Sequence, residues 1–402
     1  MADLLERILS YAGEKGELIQ RGEMEPRARR FRLVSADDHL TEPPDLFEGR
    51  LPARWADQAP RVDRDDAGVD WWVFGDDRVP LLGSDSWQGF EPETAYLGPV
   101  NFDELHPAVY DIDERVKHMD VIGLEASLCF ASAPFGFAGT RFTKMGDDEL
   151  GLACMRAFND WHLEVWAGTH PGRIIPNQFA WLLDPQVAAD EIRANADRGF
   201  PAVSFSENPE KLGLPSLYTD HWDPFFAACE ETGTVVNLHV GSSSATIVPS
   251  TDSAPAVLGA MFPISGMATA ADWLFAGIPL RFPDLRIALS EGGIGWVPMF
   301  IDRVDHMGRM LDYSEQFGDL HPIDVLRRNF WFTTFNDELT MPLRHLVGVD
   351  HIMLETDYPH SDSTWPDTQE ILAVQLEGVP EDECDAMTFA NATELYRLDS
   401  LT

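Results

Sequence analysis

Cysteine and basic residues are scarce in this chain of 402 residues, and long apolar runs are missing altogether. The four cysteines, Cys129, Cys154, Cys229 and Cys384, lie far apart and form no C-x-x-C pair. That spacing excludes a disulfide framework and a cysteine zinc knuckle, and it fits a reducing compartment. Lysine plus arginine number 29 against 68 acidic residues, a formal net charge of −39. Such a field repels nucleic acid and anionic membranes, so neither is an expected partner. No segment approaches the roughly 20 apolar residues needed to cross a bilayer. Asp3 and Glu6 stand where a signal peptide would carry basic residues. The expectation is a soluble, cytoplasmic protein acting on a small molecule. Its 44% apolar and 24% charged residues exclude wholesale disorder.

The first 30 residues read as a short amphipathic helix (Leu4, Leu5, Ile8, Leu9) and a charged tail ending in Arg27, Arg29 and Arg30, a surface appendage to one domain spanning 31–402. Eight β-prone runs follow: Phe31–Ala36, Ala126–Phe130, Ile174–Ala180, Ala202–Phe205, Val235–Leu238, Ile287–Leu289, Phe330–Thr333 and Ile352–Leu354. Several are apolar throughout, as parallel strands covered on both faces must be. Helical stretches lie between them, at Asp113–Ile122, Asp147–Ala167, Asp184–Asp197, Trp222–Thr232 and Val297–Leu311. Pro185 just inside one start, and Gly199 and Gly233 just past two ends, punctuate them in the usual way. Eight strand–helix alternations at this length predict an α/β chain folded as a distorted (β/α)8 TIM barrel. The stretch between the first two strands is too long for a simple crossover. Residues 51–106, with Trp55, Trp71, Trp72, Trp87, Phe90 and Tyr96, read as an aromatic-rich insertion over the barrel mouth, with a hairpin at Asp70–Pro80.

Reactive side chains of such barrels sit where strands end. Asp37, Asp38 and His39 close the first strand, Glu207 follows the fourth and His239 the fifth. Glu291 follows the sixth, and Asp357 the eighth, with His360 three residues on. Taken singly, each has a structural reading: a cap, a turn residue, or a satisfied core histidine. Together they would converge on the barrel axis, where like charges repel unless a cation neutralises them. Imidazole with carboxylate suits zinc, iron or manganese.

Ser35-Ala36-Asp37-Asp38-His39, followed by Glu42-Pro43-Pro44-Asp45-Leu46, resembles the opening of the amidohydrolase-related branch of the amidohydrolase superfamily. Glu355 through Ser363 resembles its closing motif, and Asn391 through Tyr396 its C-terminal helix. This branch includes aminocarboxymuconate-semialdehyde and resorcylate decarboxylases. The resemblance implies a divalent metal held by Asp37, His39, His239 and Asp357. It breaks at the sixth strand, where Glu291-Gly292-Gly293 stands in place of a histidine that helps decarboxylation. With Glu207, Glu291 and His360 added, the inventory reaches seven candidate ligands, more than one metal can use while leaving room for substrate.

The leading expectation is therefore a metal-dependent hydrolase or lyase that uses activated water on a small, partly apolar substrate. Asp357, Glu291 and His360 are its candidate catalytic groups, and its cofactor is one or two ions, zinc or iron. The resemblance also admits a dinuclear alternative, a non-haem di-iron monooxygenase hydroxylating a bulky, natural-product-like substrate. A non-catalytic ligand-binding barrel is the third reading. The aromatic insertion and Phe135-Gly136-Phe137 are candidates to line an apolar pocket, while Trp296 reads as core. A homodimer is the assembly expected by analogy.

Overall fold

The protein is described by a computed structural model over residues 12–250 and 252–398. The expected helix on Leu4, Leu5, Ile8 and Leu9 lies outside the described residues. Residues 12–30 contain no helix and lie against the body, where Leu18 and Met24 pack on the core and Arg27 pairs with Asp367 at 2.6 Å.

Eight staves form the barrel. They are β1 (Leu33–His39), β5 (Leu124–Phe130), β6 with β7 (Ile174–Ile175 and Asn177–Phe179), β8 (Ala202–Ser204), β9 (Val235–His239), β10 (Ile287–Ser290), β11 (Phe330–Thr334) and β12 (Ile352–Leu354). β6 and β7 flank Pro176, which has no amide hydrogen to donate to a ladder, and together make one stave. Every pairing between adjacent barrel strands is parallel. The ring closes through the chain after β12: Thr356 N donates to Ser35 Oγ at 2.9 Å, Asp357 N to Asp37 O at 3.0 Å, and His39 N to Tyr358 O at 2.7 Å. All seven residues of β1 are buried, as are all of β9 and β10. Burial on both faces explains why these strands read as continuous apolar runs.

The helices start where short acidic side chains can cap them. Asp111, Asp147 and Asp184 each accept two backbone amides of the following first turn. Gly199 and Gly233 end two helices in the left-handed conformation that glycine adopts without a Cβ clash. The helix expected to run to Leu311 stops at Gly308, and the one expected over Asp147–Ala167 spans Asp148–Trp161 before widening to a π-turn. A helix over Phe262–Phe275 was not expected, because Pro263, Gly266 and several alanines blur its apolar stripe. The four cysteines are buried and free, and no helix among the described residues is long and apolar enough to cross a membrane.

Between β1 and β5, the expected hairpin becomes a three-stranded antiparallel sheet of β2 (Arg61–Arg64), β3 (Asp70–Phe74) and β4 (Asp77–Pro80). Its most buried aromatics serve the core. Trp72, Phe74 and Phe90 are fully buried, and the Phe135 ring sits 4.9 Å from Trp72, 5.1 Å from Phe74 and 5.7 Å from Phe158. Removing apolar area from water outweighs any pocket-lining use of these rings, so they fasten the segment to the barrel. Trp296 is core as expected, packed on Phe300 and Phe332. Phe135→Ala should cost about 3–5 kcal/mol of stability, read from the midpoint of denaturant unfolding. A change under about 1 kcal/mol would show that the ring lines open space instead.

Candidate metal centre

The strand ends meet. Asp37, His39 and His239 each offer a ligand atom within 4.8 Å of the others. The same holds for His39, Asp357 and His360, and again for Glu291, Asp357 and Asp362. His39 Nε2 lies 3.6 Å from Asp37 Oδ1 and 3.4 Å from Asp357 Oδ1, while His239 Nε2 lies 3.7 Å from Asp37 Oδ2 and 3.5 Å from Glu291 Oε2. His360 stacks on His39 at 3.8 Å and sets its Nδ1 3.0 Å from Asp357 Oδ1. Residues as far apart in sequence as Asp37 and Asp362 thus share one small volume at the C-terminal end of the barrel.

The hydrogen bonding fits a cation. Both oxygens of Asp37 and both of Asp357 are buried with no hydrogen-bond partner. Unpaired buried carboxylates are costly, and natural proteins leave them so mainly where an ion or a proton completes them. His239 Nδ1 faces Val240 O at 2.7 Å, and since a carbonyl only accepts, the hydrogen sits on Nδ1. His239 Nε2 is then a bare lone pair, 3.0 Å from His39 Nε2. Second-partner bonds of this kind are how proteins orient imidazole ligands.

Burial pushes the Asp37, Glu291 and Asp357 carboxyls well above the usual carboxylate range, and their mutual negative charges add to it. Burial also keeps both histidines neutral: His39 falls well below its ordinary value, helped by His360 and His239, and His239 falls to about 3. Every one of these shifts favours the uncharged form, which a divalent ion would reverse for the carboxylates.

Glu291 and Asp357 are non-glycine residues in the left-handed region, at φ 60° and 51°. Such backbone persists only where its surroundings fix it. Glu355 Oε2 accepts the Glu291 amide at 3.0 Å, and Asp337 holds the next turn by accepting from Ile294 N at 3.1 Å and Gly295 N at 3.2 Å. Gly292 permits the close approach of the helix over Phe262–Phe275: a Cβ there would meet the Gly266 Cα at 3.4 Å.

Glu207, expected as a bridging ligand, does not join the cluster. Its oxygens are taken by the hydroxyls of Ser242 and Ser243, the latter at 2.6 Å. Asp38 is likewise structural, bonded to Ser127, Thr356 and the Tyr358 amide beside Arg115. Three contributors escaped sequence reasoning. Asp362 follows His360 in the same loop, and the spacing Asp357-x-x-His360-x-Asp362 was the available signal. Glu355 sits at the end of an apolar strand, where it reads as a strand terminus. Asp85 comes from the segment between β1 and β5, and its buried Oδ2 has no partner while the charge of His360 acts on it. Gln88 pins that segment to the loop, with its amide on Pro359 O at 3.0 Å and its side chain on His360 O at 3.2 Å. No local pattern announces Asp85; only the fold brings it there.

A sequence profile described as amidohydrolase matches residues 108–398, well over half of the chain. The chain belongs to the amidohydrolase family. The matched span begins after β1, so the place of Asp37 and His39 rests on the geometry above. No curated protein sequence matches the chain. Among solved structures, an amidohydrolase of Mycobacterium avium subsp. paratuberculosis K-10 is similar at 23% identity and TM-score 0.71, covering 92% of this chain and 100% of that one. The 2,6-dihydroxybenzoate decarboxylase of Rhizobium is similar at 20% identity and TM-score 0.61 (92% and 99% covered). The 5-carboxyvanillate decarboxylase of Novosphingobium aromaticivorans DSM 12444, solved with manganese and 4-hydroxy-3-methoxy-5-nitrobenzoic acid, is similar at 15% and 0.63 (93% and 99%). At these identities the likeness carries the fold: this amidohydrolase is a TIM-barrel-like α/β protein.

His39→Ala and Asp357→Ala should each abolish tight binding of Mn2+ or Zn2+ in calorimetric titration. Glu207→Gln and Trp296→Phe should leave stoichiometry unchanged, because neither side chain reaches the cluster. A second expectation concerns pH. Glu355 is pushed by burial from 4.5 to about 8. A carboxyl whose folded pKa is raised binds more protons folded than unfolded, so its contribution is lost as pH rises between those values. The metal-stripped protein should therefore lose thermal stability from pH 5 to pH 8, and added divalent ion should recover most at the alkaline end. A flat melting profile for the stripped protein would count against buried, raised carboxyls.

Proposed function

We propose that this amidohydrolase is a metal-dependent enzyme of hydrolytic or lytic chemistry acting at a carbonyl or carboxylate carbon of a small organic substrate. The observation that carries the reading is the four unpartnered buried oxygens of Asp37 and Asp357 facing two neutral histidines. Asp37, His39, His239 and Asp357 would hold a divalent ion, with Glu291 beside them. When bound, that ion supplies Lewis acidity, lowering the pKa of water and polarising the substrate oxygen. Asp357 is placed to take a proton from the attacking water. His360, 3.0 Å from Asp357 and partly open to solvent, is placed to pass that proton out. Phe137 stands against the histidines, 4.2 Å from the His239 ring and 5.1 Å from that of His39, and excludes water from that side. The arylcarboxylate decarboxylases of similar fold support the lytic half of the reading, and manganese in one of them supports the ion.

A second reading rests on the Glu291, Asp357 and Asp362 cluster, which adjoins the first set and shares Asp357 with another. A carboxylate-rich pair of sites suits two irons and oxygen chemistry. Metal analysis of protein purified without added metal, followed by turnover of aryl carboxylates, aryl esters and lactones with and without dioxygen, decides between them. One zinc or manganese per chain and turnover without dioxygen is the expected result. Two irons with turnover lost under anaerobic conditions would replace the first reading by the second.

A further inference from the structure

A cavity of about 560 Å³ opens between the loop after β8, the loop after β9 and the helix over Phe262–Phe275. That volume lies within the range of pockets that hold small organic ligands. None of its lining residues belongs to the candidate metal cluster, but two structural links tie its wall to that cluster. Glu207 lines the cavity and is hydrogen-bonded to Ser242, whose own amide donates to His239 O at 3.0 Å. The same helix that walls it packs Gly266 against Gly292, next to Glu291. Ala245, Ile247, Ala268, Ala271 and Phe275 give it an apolar lining. Of its acidic lining Glu207 is taken up by Ser242 and Ser243, which leaves Glu210 and Asp272 against Lys211, and Tyr218 is hydrogen-bonded to Asp272. The strongly acidic chain adds to that field.

We infer that this cavity receives the body of the substrate and selects an apolar skeleton bearing an ammonium group over one bearing a carboxylate. The inference rests on the proposed chemistry for the substrate's reacting end, but the selectivity of the cavity does not. It also assigns the substrate to the flank of β8 and β9, away from the aromatic segment, whose rings are spent on packing. Two of the decarboxylases of similar fold are instead named with carboxylic acids bound, 2,6-dihydroxybenzoate and 4-hydroxy-3-methoxy-5-nitrobenzoic acid.

The test uses two probes with one fluorophore, dansylcadaverine carrying an ammonium and dansylglycine carrying a carboxylate. Each is titrated into the full chain, metal-loaded and metal-stripped. The ammonium probe should bind about tenfold more tightly, as charge complementarity predicts. Ala268→Trp should weaken it about tenfold by filling the cavity, with metal content unchanged, and Asp272→Asn should narrow the preference between the probes. Asp272→Asn alters no volume, so it decides the matter if the tryptophan variant fails to fold. Among substrates that turn over, the ammonium-bearing members should show the lower KM, and Ala268→Trp should raise it. Equal binding of both probes, a preference for the carboxylate, or indifference to both substitutions would overturn the inference. Binding that behaves as expected on a chain that holds no metal would leave the cavity assignment standing and sink the proposed reaction.

Discussion

Mutual repulsion among buried carboxylates is the constraint around which this molecule is built. Asp37, Glu291 and Asp357 lie within a few ångströms of two imidazoles, out of water, with Glu355 close behind. Without a counter-charge the cheapest state is a protonated one, and burial raises every one of these carboxyls accordingly. A divalent ion offers the other resolution, and it would use the His239 Nε2 lone pair that otherwise faces His39 Nε2. Proton and metal thus compete for the same oxygens, which makes metal affinity in such a site intrinsically dependent on pH.

Holding these groups together needs a rigid frame, and the parallel ring provides it. The clustered groups come from the ends of four strands, Asp37 and His39 from β1, His239 from β9, Glu291 from just beyond β10 and Asp357 with His360 from just beyond β12, so barrel closure itself sets the distances. Where the chain must turn sharply, acidic side chains that never reach the cluster do the positioning. Glu355 holds the Glu291 amide, Asp337 holds the glycine turn beyond, and Asp38 ties the β1 end to Thr356 and Tyr358. Much of the acidity near the site is therefore structural, which explains why Asp38 and Glu207, adjacent in kind to the ligands, stand outside the cluster.

The strands were legible because double-sided burial leaves an unbroken apolar run, and the clustered residues because an ionisable residue ending such a run has few other reasons to be there. Glu207 satisfied the same rule and misled, since sequence does not reveal that Ser242 and Ser243 would return from the next loop to occupy its oxygens. Asp362 was hidden by its exposed loop and Asp85 by its distance along the chain. The aromatic segment misled for a different reason. Tryptophan and phenylalanine serve a core and a pocket equally well, and only the ring contacts of Trp72, Phe74 and Phe135 tell the two apart. The true cavity is walled by a helix whose small residues gave no periodic signal.

Glu291, at the sixth strand end where the family resemblance leads one to expect a histidine, ties these points together. An imidazole there could donate or accept a proton near neutrality. A carboxylate shared with a cation would be an acceptor fixed by charge, and on the proposed reading proton movement would fall to the neighbouring loop, where His360 Nδ1 stands 3.0 Å from Asp357 Oδ1. The substrate must then approach from a side that neither His360, stacked over His39, nor Phe137, set against both histidines, already fills. On the proposed reading that side would be the flank of Glu207, which lines the cavity and bonds to Ser242. On the same reading a cationic tail would be drawn toward Glu210 and Asp272, and the carbonyl or carboxylate end would be left facing the clustered groups.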